Sequence, residues 1–110
     1  MSYKVFSSSS FEKSLKGLKK KYPSLRTDLS DLIDLLKNDP FTGSSIGKDC
    51  YKVRMAITSK GKGKSGGARV ITCVKVVQQN VFLLSIYDKS EKETIEDNKL
   101  IMLLEAAGLL

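Results

Sequence analysis

Lys52 and Arg54 stand two residues apart in an alternating run, inside a stretch where cationic chemistry is concentrated. From Lys48 to Lys75 the chain holds Lys48, Lys52, Arg54, Lys60, Lys62, Lys64, Arg69 and Lys75 against a single acid, Asp49. This local excess of +7 equals the net charge of all 110 residues, because the other 82 carry 11 basic and 11 acidic side chains. Positive charge gathered in one segment favours a polyanion such as nucleic acid or an anionic membrane. A bare KGKGK run is equally well a solvated lysine-rich loop. The chain has no histidine, so imidazole ligation of a metal and histidine acid–base catalysis are excluded. Any chemistry falls to Lys, Arg, Tyr, a carboxylate, Ser or Cys. Gly63-Lys64-Ser65 superficially suggests a phosphate-binding P-loop. That motif needs a glycine where Thr58 stands and a helix after Ser65. A glycine pair and a strand-prone run follow instead, which rejects it.

The elements that must position these residues are legible in the periodicity. Residues 1–110 make one domain, with 41% hydrophobic content for a modest core. MSYKVFSSSS gives no signal segment, and the apolar run Leu100 to Leu104 is too short to span a bilayer. Cys50 and Cys73 fit neither a disulfide framework nor a metal spacing, and they read as small buried residues of a reducing cytoplasm. Tyr3 to Ser7 reads as a first strand. Ser9 with Glu12 fits a capping box, and Phe11, Leu15, Leu18 and Tyr22 recur at helical spacing. Pro23 opens a second helix, with Leu25, Leu29, Leu32, Ile33 and Leu36 as its stripe, ending near Asn38 before Asp39-Pro40. Phe41 to Asp49 reads as a loop.

From Cys50 to Thr58, Tyr51, Val53, Met55 and Ile57 point one way and Lys52, Arg54, Ala56 and Thr58 the other. Ser59 to Gly67, with four glycines in nine residues, reads as a flexible turn. Ala68 to Val77 is β-branched and reads as a central strand. Val81 to Asp88 reads as another, with Phe82, Leu84 and Ile86 toward the core and Ser85, Tyr87 and Lys89 opposite. Ser90 with Glu93 forms a second capping box. Asp97 recaps a last helix to about Ala107, whose apolar positions are Ile95, Leu100, Leu103, Leu104 and Ala107. The expected fold is α+β: an N-terminal strand, a helical hairpin, a three-stranded antiparallel meander and a C-terminal helix, with the helices packed on one face of the sheet. The other face is then an open surface bearing Lys52, Arg54, Tyr87 and Lys89, with Arg69 and the KGKGK loop at its rim. Alternation does not settle which way Arg69 points, because both faces of its strand are largely apolar.

A double-stranded-RNA-binding domain also joins a basic surface to a three-stranded sheet, but it begins with one helix rather than a strand and a helical hairpin. An RNA-recognition sheet wants exposed aromatics on its central strands, and only Tyr87 qualifies. The element order, the CYKVRM strand, the glycine-rich turn into GGARVI, and LLSIYDKSEKE together resemble the RelE/ParE toxin superfamily of type II toxin–antitoxin systems. The resemblance runs from Tyr3 to about Leu104 and is nearest the RelE/HigB-type branch of mRNA interferases. It implies a small cytoplasmic toxin that enters the ribosomal A site, contacts rRNA and cuts mRNA there, held inactive by a cognate antitoxin. It implies no metal, no other cofactor and no membrane partner. By position, Lys52 and Arg54 match the family's paired basic residues, Arg69 the arginine opening the next strand, and Lys89 an arginine after the last strand. A C-terminal tyrosine that contributes in some members is absent, since Ile95 stands near its place.

Metal-free RNA cleavage uses the 2′-hydroxyl of the substrate as nucleophile and leaves a 2′,3′-cyclic phosphate. Arginine keeps its proton at neutral pH, which suits Arg54 and Arg69 to clamping phosphoryl oxygens. A lysine beside other cations can serve as base, which makes Lys52 the candidate. Lys89 is the expected phosphate ligand or proton donor, and Tyr87 a stacking surface or a replacement for the missing tyrosine. Lys48, Lys60, Lys62, Lys64 and Lys75 are expected to attract RNA backbone. Two other readings stand beside the nuclease: a ParE-like inhibitor of DNA gyrase acting by protein contacts, and a non-catalytic RNA-binding module.

Overall fold

The alternating run at Cys50 and the β-branched run after it form the middle of a five-stranded mixed sheet in the computed structural model, which describes residues 2–92 and 94–110. In chain order the elements are β1 (Lys4–Ser7), α1 (Ser9–Lys21), α2 (Leu25–Asn38), β2 (Ser44–Gly47), β3 (Cys50–Met55), β4 (Ala68–Lys75), β5 (Asn80–Asp88) and α3 (Asp97–Ala106). The strands lie in the order β1-β5-β4-β3-β2, with β1 parallel to β5 and every other pair antiparallel. The α+β class, the helical hairpin and the antiparallel meander are as expected. Among the described residues, no helix is long and apolar enough to cross a membrane.

Local chemistry explains the elements. Ser8 caps α1 by accepting a hydrogen bond from the Phe11 amide at 3.1 Å, one residue earlier than the expected Ser9 cap. Lys19, Lys20 and Lys21 fill the last turn, where the helix dipole favours cations. β2 lies inside the segment expected as a loop. It pairs with β3 through a two-residue turn, Lys48 and Asp49, both at positive φ of 55° and 62°. Such mirror-image turns match strand twist and usually advertise themselves with Asn-Gly or Gly-Gly. Lys-Asp carries no such signal, so the strand was not legible.

One expectation about layers is overturned. The helices do not all lie on one face. α1 and α2 cover the face that carries Val53, Met55, Val70, Val74, Leu83 and Ile86, through Phe11, Leu15, Leu25, Leu29, Leu32 and Leu36. α3 packs on the opposite face, where Leu100, Leu103 and Leu104 meet Cys50, Ile71, Cys73 and Leu84. A register shift in the β4–β5 ladder, opposite Ile71 and Thr72, breaks the alternation of β5 at Leu84. Phe82 and Leu84 therefore face α3, while Ile86 faces α1 and α2. The α3 N-cap is Glu96. Of the proposed Ser90–Glu93 capping box, Glu93 lies outside the described residues, and Ser90 is committed elsewhere: its amide and hydroxyl both donate to Asp88.

Asp88 ends β5 with no exposed surface. Its carboxylate accepts from Tyr22 Oη at 2.5 Å, Lys60 Nζ at 2.9 Å, and the Ser90 amide and hydroxyl at 3.0 and 2.8 Å. Burial by itself would raise its pKa, but the hydrogen bonds from Tyr22, Lys60 and Ser90 outweigh that and hold it well below the ordinary 3.8. A second carboxylate, Asp28 on α2, accepts from the amide and hydroxyl of Thr58 at 2.9 and 2.6 Å. Together these acids fasten the helical hairpin to the chain that leaves β3.

Removing one member of a buried ion pair leaves an uncompensated charge or an emptied network, at a cost of about 3–5 kcal/mol. Asp88→Ala should lower unfolding free energy by about that amount in urea titrations at neutral pH. A depressed native pKa contributes stability that is complete above the unfolded value and fades as pH falls through the native one. The stability gap between wild type and Asp88→Asn should therefore narrow only as the pH drops below about 4.

Candidate nucleic-acid interface

The hydrogen-bond phase of the β3–β4 ladder decides how its cations meet. The Val74 amide donates to the Asp49 carbonyl at 2.8 Å, so residues 49 and 74 are a hydrogen-bonded pair. Counting along the register, Arg54 and Arg69 are Cα partners in a non-hydrogen-bonded pair. Such pairs bring Cα atoms to about 4.5 Å, with the side chains on one face close together. Arg69 is in turn the partner of Tyr87 on β5. Arg54, Arg69 and Tyr87 thus form one row across three strands, and Lys52, Ile71 and Ser85 form the adjacent row on the same face. Like charges directly opposite each other destabilise a sheet unless something neutralises them. Among the described residues, no carboxylate lies within ion-pair distance of Lys52, Arg54, Arg69 or Lys89.

The members differ in access. Arg54 is exposed at the edge of β3, beyond the point where β2 stops pairing. Lys52 is half-buried. Arg69 is only 6% exposed, and its Nη1 donates to the Lys64 and Ala68 carbonyls at 2.9 and 3.0 Å. The guanidinium therefore points back along the glycine loop and braces it. Tyr87 is 5% exposed, with Lys92 Nζ 4.8 Å from its ring centroid. A ring so covered offers no stacking platform for a nucleobase, which corrects that expectation. Its hydroxyl has no hydrogen-bond partner among the described residues, and burial pushes its pKa up, so it stays protonated at neutral pH. Lys89 is half-buried just past β5, its amide donating to the Gly67 carbonyl at 3.0 Å.

The basic loop is better held than its glycines suggest. It contains two single helical turns, Thr58–Lys60 and Lys64–Gly66. Asp28 grips Thr58, the Ser24 hydroxyl accepts from the Ser59 amide at 2.8 Å, and Arg69 grips the Lys64 carbonyl. Gly67 has no space for a side chain: an added Cβ would lie 2.2 Å from the Met55 carbonyl oxygen. Lys60, expected to attract RNA backbone, is instead the partner of Asp88, and the hydrogen bond to that carboxylate raises its pKa. Lys62 and Lys64 remain exposed. Lys62 joins Ser65, Lys89, Ser90 and Lys92 around a cleft of about 410 Å³, between the loop and the segment after β5. Glu91 also lines it.

Lys48 and Lys75 do not join this cluster. Four residues, roughly 13 Å of strand, separate the Arg54 row from Cys50, and Lys48 lies in the turn beyond it. Lys75 is at the same far end, paired with Asp49 at 3.6 Å. Sequence reasoning missed Lys92, Glu91 and Ser65 as cleft residues. The acid–base mixture of DKSEK reads as an ordinary solvated turn, and only the tertiary approach of the loop makes it a wall.

This division of labour is measurable. Lys60→Met should cost about 3 kcal/mol of stability by stranding Asp88. Lys62→Gln should leave the urea midpoint unchanged, weaken RNA binding and reduce the salt slope of binding by about one. In Gly67→Ala the clash with the end of β3 should destabilise by about 1–3 kcal/mol, as overpacking does.

A family model described as the RelE toxin of the RelE/RelB toxin–antitoxin system matches residues 3–110. No curated protein sequence matches the chain. Among solved structures, the Escherichia coli toxin RelE, a double arginine-to-alanine mutant in the free state, superposes with a TM-score of 0.60 at 18% identity, covering 98% of this chain and 96% of that one. The Mycobacterium tuberculosis toxin–antitoxin complex RelBE2 gives 0.59 at 13% identity, covering 80% and 92%. At these identities the superpositions establish a shared fold, and the family model spans almost the entire sequence. The chain belongs to the RelE toxin family of toxin–antitoxin systems.

Proposed function

We propose that the protein is a ribosome-dependent mRNA endonuclease that blocks translation by metal-free transesterification, and that a cognate antitoxin holds it inactive. The observation that carries this reading is the cross-strand pairing of Arg54 and Arg69, two cationic residues opposite each other in register with no carboxylate at ion-pair distance among the described residues. An anion at this end of the ladder would offset their two charges, and a phosphoryl group gaining charge in its transition state is such an anion. The partner assignment is supported by the mycobacterial relative, whose structure is a toxin–antitoxin complex.

In this mechanism the 2′-hydroxyl attacks the adjacent phosphorus, and its proton passes to Lys52, one row along on the same face. Arg54 and Arg69 hold the non-bridging oxygens of the pentacoordinate phosphorus through guanidinium N–H donors. The 5′-oxygen leaves with a proton from Lys89, which is half-buried just past β5. The products are a 2′,3′-cyclic phosphate and a 5′-hydroxyl. Lys62, Lys64 and Lys92 draw in flanking RNA backbone, with rRNA of the A site as the larger polyanion.

Purified protein added to a cell-free translation reaction should yield cut mRNA with cyclic phosphate ends. Arg54→Ala and Arg69→Ala should each slow cleavage about 10²–10³-fold, the usual loss on removing one transition-state donor. Lys52→Ala should also slow cleavage, whereas Glu91→Gln should leave the rate unchanged. Unchanged cleavage in both arginine variants sinks the assignment. Intact mRNA with loss of gyrase supercoiling points to the gyrase-inhibitor reading instead.

A further inference from the structure

Cys50 and Cys73 lie at the other end of the same ladder, and the proposed RNA chemistry uses neither. Both are free thiols with no exposed surface, and they are Cα partners across β3 and β4. By the same hydrogen-bond phase as the arginine pair, theirs is a non-hydrogen-bonded pair, with Cα atoms about 4.5 Å apart. Disulfides bridge Cα separations from about 4.4 Å upward, so a bond can close here without moving either strand. The separation is at the short end of that range, where the bond is strained and readily reduced, the mark of a reversible bridge and not a structural one.

The proximity of the two sulfurs lowers the pKa of Cys73 and raises that of Cys50, and Lys75 adds to the lowering at Cys73. The Cys50 thiol also reaches the Lys48 carbonyl at 3.3 Å, which fixes its rotamer at the turn. Leu100, Leu103 and Leu104 of α3 close over the pair.

We propose that Cys50 and Cys73 form a thiol-redox site, closing to a reversible cross-strand disulfide in the presence of hydrogen peroxide. The Cys73 thiolate attacks a peroxide oxygen, the O–O bond breaks, and a sulfenic acid forms with release of one water. The Cys50 sulfur then displaces that hydroxyl, the S–S bond forms and a second water leaves. Two thiols lose two electrons and two protons, and the peroxide takes them up. The pair lies under α3 with no exposed surface, so the reaction is slower than at an exposed thiol. The bond crosslinks β3 to β4, the two strands that carry Arg54 and Arg69, at the end remote from them.

The test uses the wild-type chain and reads mass, so it does not depend on any nuclease activity. Native protein is treated with hydrogen peroxide, unfolded, alkylated and weighed. The expected product is a monomer about 2 Da lighter with no alkylatable thiol, reverting to two thiols with dithiothreitol. A tryptic digest should show the Cys50 and Cys73 peptides joined. Two alkylatable thiols after treatment that oxidises a control dithiol peptide, or covalent dimers, or sulfinic acid at either cysteine, each overturn the proposal. Cys73→Ala, where it folds, should keep its one thiol or form an intermolecular bond, and should show no loss of two hydrogens.

Discussion

The buried carboxylate of Asp88 is the interaction on which the rest of the structure depends. It ends the strand that carries Tyr87 and precedes the turn that carries Lys89, and its four hydrogen bonds come from three other parts of the chain. Tyr22 brings the end of α1, Lys60 brings the basic loop, and Ser90 brings the segment beyond β5. Burying an acid is unfavourable unless its charge is paired and its lone pairs are filled. Here both conditions are met, and meeting them draws two otherwise unrelated segments against each other. The cleft between the basic loop and residues 89–92 exists because both of its walls are anchored to the same carboxylate.

The second organising constraint is that β4 is covered on both faces. A strand between a helical hairpin and a third helix has no solvent side, and all its residues but Lys75 are buried. That leaves little of the sheet face for a binding surface. The cationic row stands at one end of the ladder, and Cys50 and Cys73, packed with α3, at the other. The cationic row and the thiol pair therefore share one hairpin at opposite ends. Arg54 gains its access from the early termination of β2, which leaves the edge of β3 open beyond Lys52.

The net positive charge divides by what each side chain touches. Lys60 neutralises an internal acid and Lys75 an exposed one, so neither is a free cation. Lys48 stands in a turn remote from the arginines. Arg54, Lys52, Lys62, Lys64, Lys89 and Lys92 remain with no carboxylate at ion-pair distance among the described residues, around the loop end of the sheet. A lysine count alone treats all of these alike, although burial and pairing separate a structural cation from one that can meet a phosphate.

Much of the fold was determined locally and so was readable. The helical stripes at Phe11, Leu15 and Leu18 and at Leu25, Leu29, Leu32 and Leu36, and the alternation around Val53, follow from residue spacing, because helix and strand impose their own periods on whatever must be buried. The resemblance carried by CYKVRM and GGARVI led to the family. The α3 face was misplaced even though both faces of Ala68–Val77 are apolar, the usual sign of a strand covered on two sides. Pairings distant in sequence were beyond reach: Asp88 with Tyr22 and Lys60, the opposition of Arg54 and Arg69, and the covered ring of Tyr87. The sequence by itself determined the helices, the strands other than β2, and where the cations are concentrated. Only the tertiary structure decided which cations are paired, buried or opposed, because that depends on register and on contacts between residues far apart along the chain.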